Sequence, residues 1–97
     1  MLRMDKPRSF TWHDEKEATT IATRGLTFAY ASRVFADPSG VQADTVRPQD
    51  DEHRRKAVGL IDGHLFTVVY VMRGEVARII SARRANRAEE RIYNGDD

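Results

Sequence analysis

The sequence predicts an α+β domain in which an antiparallel sheet of about four strands carries two N-terminal helices and one C-terminal helix. The main observation is that three β-prone runs, residues 56–61, 65–72 and 76–82, follow one another with short turns between them. Val, Ile, Phe and Tyr dominate these runs, and such side chains favour the pleated surface of a sheet. A three-stranded antiparallel meander is therefore predicted as the centre of the fold.

The two turns of the predicted meander contain glycine, which adopts backbone dihedrals that other residues avoid. Asp62-Gly63 suits a type I′ hairpin turn, and Arg73-Gly74 separates the second run from the third. With two-residue turns, the alternation of side chains puts Arg55, Tyr70 and Arg83 on one face. The opposite face then has a cationic edge that consists of Arg54, Lys56 and Arg78. A bulge at the second turn would exchange the faces of the third strand, because side-chain direction has a period of two residues.

The N-terminal quarter of the chain predicts a polar arm, a short strand and a helix. Residues 1–9 are predicted to form a loose arm, while residues 10–12 alternate apolar and polar side chains, as a strand at a sheet edge does. Asp14 followed by Glu17 has the spacing of a capping box, and Gly25 is a natural C-terminal cap. A first helix is therefore predicted between these two caps.

The remaining elements follow from the same kinds of signal. Residues 28–36 place apolar side chains at helical spacing, and the helix ends there because the residue before a proline avoids α geometry. Residues 41–46 are a weak strand candidate. Asn86, with Glu89 three residues later, predicts a capping box for a C-terminal helix over residues 87–93.

Length and composition limit the class of protein. The 97 residues predict a single domain, with a frayed tail at residues 94–97, and the formal net charge of +1 gives no global signature of nucleic-acid binding. The absence of cysteine excludes disulfides, thiolate catalysis and cysteine zinc sites. The three histidines are scattered and neither HExxH nor a P-loop motif occurs, so no metal and no cofactor are predicted. The sequence has no signal-peptide core and no membrane-spanning apolar run, which predicts a cytoplasmic protein.

Arginines lie at both ends of the predicted meander, where they outline a candidate anion site. Guanidinium groups bind phosphate through paired hydrogen bonds and keep their charge at all working pH values. Each arginine taken alone is equally consistent with solvated strand-edge charge, which discourages aggregation of sheets. The arginines occur together with a tyrosine, a histidine and a serine, and this combination favours a phosphate-binding site on the sheet.

Taken in order, these signals resemble the BrnT family of type II toxin–antitoxin toxins, which are small ribonucleases with a RelE-like fold. The resemblance covers roughly residues 10–93. Its N-terminal part is Phe10-Thr11-Trp12 followed by Lys16, Gly25, Phe28 and the RVFADP run that ends at Pro38. Its C-terminal part consists of Glu52, Arg54, the run GLIDGHLFTVVY, Arg73-Gly74, the run RIISARRA, Glu90 and Tyr93. The RIISAR segment is the most specific of these matches.

The resemblance implies a RelE-like antiparallel sheet with packed helices, and cleavage of RNA that shuts down translation. It also implies a BrnA-like antitoxin that forms a heterotetramer with the toxin. The toxin would then contact operator DNA only through this antitoxin. By motif, two functional arginines carry over, Arg54 before the second main strand and Arg83 at the end of RIISAR. Family members usually end the first helix with N-x-x-K-H-G. Here Thr23 and Arg24 occupy the positions of the Lys and His, so Arg24 is the only cation at these two positions.

Metal-independent RNA cleavage requires a base for the 2′-hydroxyl, stabilisation of the phosphorane and an acid for the 5′-oxygen. We hypothesise that Arg54 and Arg83 hold the scissile phosphate, since arginine stabilises developing negative charge. Glu52, His64 or Tyr70 would supply the base and the acid. The flanking RNA phosphates would bind a second set of cations, namely Arg24, Arg55, Lys56 and Arg78.

A second hypothesis belongs to a different class of function. The chain would be a catalytically degenerate toxin homologue that binds a DNA-binding antitoxin without cutting RNA, and the replaced Lys-His pair and near-zero net charge favour it. A stand-alone RNA-binding domain is a third interpretation. It is disfavoured because the predicted strands offer no aromatic stacking platform beyond Phe66 and Tyr70.

Overall fold

The computed structural model of the chain describes residues 2–45 and 53–95. Its strands are β1 (Leu2–Arg3), β2 (Ser9–Trp12), β3 (Val41–Asp44), β4 (Arg55–Ile61), β5 (His64–Arg73) and β6 (Val76–Arg84). Its helices are α1 (Asp14–Arg24), α2 (Phe28–Ala31), which continues as a 3-10 helix at Ser32–Ala36, and α3 (Arg87–Asn94). Within the two described ranges, no helix is long and apolar enough to cross a membrane.

The strands form one mixed sheet in the order β1-β3-β4-β5-β6-β2. Neighbouring strands are antiparallel except that β2 runs parallel to β6. The α+β class is therefore confirmed, whereas the prediction of about four antiparallel strands is wrong in number and direction. Residues of the predicted loose arm contribute β1, and the backbone N–H of Asp5 donates to Gln42 at 2.5 Å, so the arm is held on the sheet.

The meander forms as predicted, and its first turn has the predicted type. Asp62 and Gly63 have φ angles of 50° and 86°, the two positive values that a type I′ turn requires. The second turn is one residue later than predicted. Arg73 still pairs with Val76, so the turn residues are Gly74 and Glu75, and Gly74 provides the positive φ of 62°.

A β-bulge in β6 exchanges the faces of its C-terminal half. Val69 is opposite Ser81 while the next residue, Tyr70, is opposite Ile79, so Ile80 is an extra residue in β6. Arg83 consequently pairs with Thr67, whose side chain lies on the face of Lys56 and not on that of Tyr70. The predicted face of Arg83 is therefore wrong, because that prediction assumed an unbulged β6 and the strand has a bulge at Ile80.

The apolar core lies between one face of the sheet and the segment formed by α2 and the 3-10 helix. Val34 of the 3-10 helix is fully buried and packs directly on the backbone of β4 at Gly59. Trp12 meets Phe28 edge to face, with ring centroids 6.0 Å apart, so β2 closes the core at its edge. The largest buried side chains of this core are Phe28, Tyr70, Ile79, Val34 and Val68.

The helix ends follow the predicted caps with one exception. The N-cap of α1 is His13 rather than Asp14, and its carbonyl oxygen accepts the backbone N–H groups of Lys16 and Glu17. The Glu17 carboxylate does not complete a capping box. It accepts the backbone N–H of Phe28 at 2.9 Å and thereby fixes the start of α2. The capping box of α3 is confirmed, because Asn86 and Glu89 bond each other's backbone N–H groups.

The close approach at Gly59 gives a test of the packing. A Cβ atom on Gly59 would lie 2.6 Å from the Val34 carbonyl oxygen, and both are main-chain positions that cannot rotate away. We expect Gly59→Ala to lower the free energy of unfolding by about 2 kcal/mol or more. Leu60→Ala is the matched control, because Leu60 is 45% exposed, and it should change stability by less than about 0.5 kcal/mol. Equal urea midpoints for Gly59→Ala and the parent would contradict this packing.

Candidate active site

The site is centred on a carboxylate that has no contact with solvent. The Glu89 side chain is 0% exposed, and its two oxygens accept the Nη1 and Nη2 groups of Arg83 at 2.6 and 2.7 Å. Lys56 Nζ donates at 3.2 Å and Thr67 Oγ1 at 2.9 Å. A buried charge is tolerated only when it is paired and hydrogen-bonded, and Glu89 meets both conditions. Strands β4, β5 and β6 each contribute one of its partners.

The protonation of Glu89 follows from these contacts. Burial by itself raises the pKa of a carboxyl group, but the hydrogen bonds from Arg83, Asn86 and Thr67 and the charge of Arg83 together outweigh it. They lower the pKa of Glu89 to about 2. The same contact raises the pKa of Arg83, so the pair stays ionised at neutral pH. A carboxylate with so low a pKa is a weak base, and Glu89 is therefore unsuited to proton abstraction.

Four predicted site residues share one face of the sheet, which we call the basic face: Arg54, Lys56, Arg78 and Arg83. Lys56 and Arg83 meet there through Glu89. Arg54 directly precedes β4, and its carbonyl oxygen accepts the N–H of Thr45, so the strand alternation extends to it. Arg78 lies further along β6, where its Nη2 group donates to His13 Nε2. The bulge at Ile80 thus brings Arg83 to the cations that the sequence had assigned to the other face.

A cavity of about 600 Å³ opens beside Arg83, and we call it the arginine cavity. Arg24, Arg83 and Arg84 line it, together with Tyr30, Phe66 and residues 25–27. The Arg84 guanidinium lies over the Phe66 ring, 5.5 Å from its centroid, and Tyr30 meets the same ring edge to face. The cations of this cavity suit a phosphate group, and the buried Phe66 ring supports the Arg84 guanidinium.

Two chain segments build this cavity. Helix α1 ends with Arg24, and Gly25 turns the chain through a left-handed conformation with φ 65°. The end of β6 supplies Arg83 and Arg84, and the backbone N–H of Ala85 donates to Leu65 at 3.0 Å, which holds that end on β5. Arg24, predicted as an RNA-binding residue, and Arg83, predicted as catalytic, therefore line one cavity although they are 59 positions apart in the sequence.

The other predicted site residues lie elsewhere. Tyr70 is buried in the core, and its hydroxyl donates to Asp5 at 2.7 Å, where burial and that carboxylate raise its pKa. Arg55 is on the same side of the sheet and bonds the same Asp5 carboxylate at 2.7 Å. His64 is exposed at the start of β5, two residues before Phe66 and on the same face as that ring. Glu52 lies outside the described residues.

Sequence reasoning missed two members of the site. Glu89 was recognised only as a helix-capping residue, although its carboxylate also bonds Arg83 and Lys56. Arg84 was not singled out, and its stacking on Phe66 depends on the pairing of these two residues across β5 and β6. Among residues 2–45 and 53–95, no group of three or more histidine or acidic side chains could hold a metal ion.

The depressed pKa of Glu89 predicts a specific loss of stability in acid. The usual pKa of a glutamate is about 4.5, so Glu89 takes up a proton at a higher pH in the unfolded chain than in the folded chain. The free energy of unfolding therefore falls as the pH drops from about 5 towards 2. The full effect is about 3 kcal/mol. Urea unfolding at pH 6 and pH 3 should show a smaller pH dependence for Glu89→Gln than for the parent. Asp62→Asn is the control, because the Asp62 carboxylate is exposed and contributes less. Identical pH dependence of Glu89→Gln and the parent would contradict the assignment.

Comparison with known proteins bears directly on these segments. No curated protein matches the sequence at a significant level. A family model described as "Ribonuclease toxin, BrnT, of type II toxin-antitoxin system" matches residues 12–89. The matched span runs from Trp12 in β2 to Glu89 in α3, so it contains both walls of the arginine cavity and every partner of the buried carboxylate. The chain therefore belongs to the BrnT family of ribonuclease toxins of type II toxin–antitoxin systems.

Proposed function

We propose that this chain cleaves RNA at the arginine cavity without a metal ion, that cleavage inhibits translation, and that a BrnA-like antitoxin neutralises it. The observation that carries the proposal is that the end of α1 and the end of β6 line one cavity, with Arg24 and Arg83 on its walls. The resemblance to the BrnT family carries a functional arginine over to Arg83, and it expects a Lys-His pair at the end of α1, where Arg24 keeps a cation. The antitoxin would bind operator DNA, and the toxin would reach DNA only through it in a heterotetramer.

Arg83 suits the scissile phosphate. Its Nη1 and Nη2 groups donate to Glu89 and to the carbonyl oxygen of Arg84. These bonds use three of the five N–H groups of a guanidinium. The Nε–H and one Nη2–H have no partner among the described residues, and the side chain is 31% exposed. A phosphate oxygen can therefore bind Arg83 without displacing Glu89.

In the proposed reaction the ribose 2′-oxygen attacks phosphorus and the bond from phosphorus to the 5′-oxygen breaks. The 2′-proton leaves to a base, the 5′-oxygen gains a proton, and the products are a 2′,3′-cyclic phosphate and a 5′-hydroxyl. Arg83, Arg24 and Arg84 stabilise the dianionic phosphorane. His64 is the proposed proton carrier, because an imidazole ring has nitrogen atoms that can accept and donate a proton and this one is exposed on the face of Phe66.

The basic face extends the contact to further nucleotides. Lys56 is 24% exposed beside the Glu89 carboxylate, and Arg78 lies five positions before Arg83 in the sequence. Strand residues advance about 3.3 Å each, so Arg78 and Arg83 are roughly 16 Å apart along β6 and would bind phosphates that are not adjacent in the RNA. Arg54 belongs to the same face and is proposed to act with them.

A second function is favoured by a different observation. The side chains that line the arginine cavity include no histidine and no carboxylate among the described residues, and Thr23 and Arg24 replace the family's Lys-His pair. The alternative is a catalytically degenerate homologue that binds an antitoxin and modulates its DNA binding. Cleavage by the purified chain distinguishes the two functions, since only the ribonuclease cuts RNA.

The cavity arginines should be needed for cleavage. With the purified chain and a fluorescent RNA oligonucleotide in EDTA, we expect Arg83→Ala to lower kcat/KM by about 100-fold or more, since it removes a phosphorane ligand. Arg24→Ala should lower it by about 10-fold. Arg8→Ala is the control, because Arg8 forms an exposed ion pair with Glu75 at the other end of β6. Parent activity in Arg83→Ala, or complete inhibition of the parent by EDTA, would contradict the proposal.

In cells, the chain should arrest translation by itself. We expect induction in a bacterial host to stop amino-acid incorporation within minutes, and co-expression of an adjacent small open reading frame to restore it. Induction of Arg83→Ala at equal abundance should leave incorporation close to normal. Normal incorporation with soluble parent protein present would favour the degenerate binding partner instead.

A further inference from the structure

We propose that Glu89 is a positioning residue for RNA cleavage, which holds the Arg83 guanidinium in the orientation that meets the phosphate. The inference rests on the proposed function of the arginine cavity. Glu89 is not among the residues that line the cavity and has no contact with solvent, so it would act through Arg83, which lines the cavity and bonds Glu89.

The attachment of α3 to the sheet does not require a buried charge. A buried ion pair usually contributes little more stability than well-packed apolar side chains of similar volume. The helix already has an N-cap in Asn86, and Tyr93 attaches it to Asp37 through a 2.7 Å hydrogen bond. The contacts of the Glu89 carboxylate are therefore more than attachment of the helix requires. Apart from its bond to the backbone of Asn86, they are made with cationic or hydroxyl groups of the sheet.

The geometry of the ion pair restricts the orientation of the Arg83 guanidinium. Glu89 Oε1 and Oε2 bind the two Nη groups of Arg83 at 2.6 and 2.7 Å, which is the paired arrangement that fixes both the plane and the direction of a guanidinium. Thr67 Oγ1 is fully buried and donates to Oε1, so the carboxylate itself cannot rotate freely. The guanidinium is held from one side, and its remaining N–H groups are left for a ligand.

Glu89 also reduces the electrostatic repulsion between Arg83 and Lys56. Glu89 Oε2 accepts both Arg83 Nη2 and Lys56 Nζ, so one anion separates two cations that would otherwise repel each other. The three groups together keep a net charge of +1, which still attracts a phosphodiester. Loss of the anion would drive Arg83 and Lys56 apart, and a displacement of about 1 Å can cost about 100-fold in rate.

The test uses steady-state cleavage of the RNA oligonucleotide by the full chain. We expect Glu89→Gln to lower kcat by about 10- to 100-fold and to change KM by less than about 3-fold, because orientation of Arg83 matters most in the transition state. The matched control is Glu90→Gln, the same change at the next residue of α3, where the side chain is exposed. Glu90→Gln should keep parent kinetics. Parent kcat in Glu89→Gln would overturn the proposal.

A double variant separates positioning from a structural role. If Glu89 acts through Arg83, Glu89→Gln added to Arg83→Ala should lower kcat by less than about 3-fold beyond Arg83→Ala alone. Losses that multiply would show that Glu89 acts independently of Arg83 and would overturn the proposal. A parent chain that does not cut RNA would instead refute the proposed function, so the two failures are distinguishable.

Glu89→Asp provides the test if Glu89→Gln does not fold. This variant keeps the charge and shortens the side chain by one methylene, so the thermal midpoint should fall only modestly while Arg83 shifts by about 1 Å. We expect a folded protein with kcat lowered by about 10-fold. A folded Glu89→Asp variant with the kcat of the parent would overturn the proposal.

Discussion

The neutralisation of one buried charge connects the central sheet to the C-terminal helix. Glu89 lies in α3, and its carboxylate is completely removed from water, so it must find donors within the protein. It finds them on three adjacent strands, in Lys56, Thr67 and Arg83. Because each donor must reach the same two oxygens, the register of β4, β5 and β6 and the position of α3 are mutually constrained. The cluster is thus a structural joint as well as a site of concentrated positive charge.

The bulge at Ile80 makes this joint possible. Strand β2 pairs with β6 only as far as Trp12 opposite Ile79, and the chain then becomes α1, whose residues Lys16 and Thr20 face Ile80 and Ser81 across a small cavity. The bulge therefore lies at the point in β6 where the neighbouring element changes from strand β2 to helix α1. Without the extra residue, Arg83 would point to the core face that carries Tyr70, where no carboxylate of α3 could reach it.

The sequence was informative where local chemistry decides the structure. The meander, the turn at Asp62, and the cap of α3 follow from residue type and spacing, and all three are present. The bulge was not predicted, because Ile80 is an ordinary β-branched strand residue and the change of neighbour beside it depends on the position of β2 and α1. The parallel pairing of β2 and the bond from Glu89 to Arg83 were missed for the same reason, since both depend on partners distant in sequence. Tyr70 was predicted as a catalytic residue and Arg55 as an RNA-binding residue, but both side chains form hydrogen bonds with the Asp5 carboxylate.

The composition of the arginine cavity bears on how much activity this chain can retain. Electrostatic stabilisation of a transition state by one fixed donor contributes roughly 100- to 1,000-fold, and a well-placed acid or base contributes roughly 100- to 10,000-fold. Three arginines line the cavity, and at the end of α1 Thr23 and Arg24 occupy the positions where the family resemblance expects a Lys-His pair. These replacements affect only the second contribution, and we propose that His64, on the face of Phe66, supplies part of it. On this reasoning the substitutions are expected to slow RNA cleavage rather than abolish it.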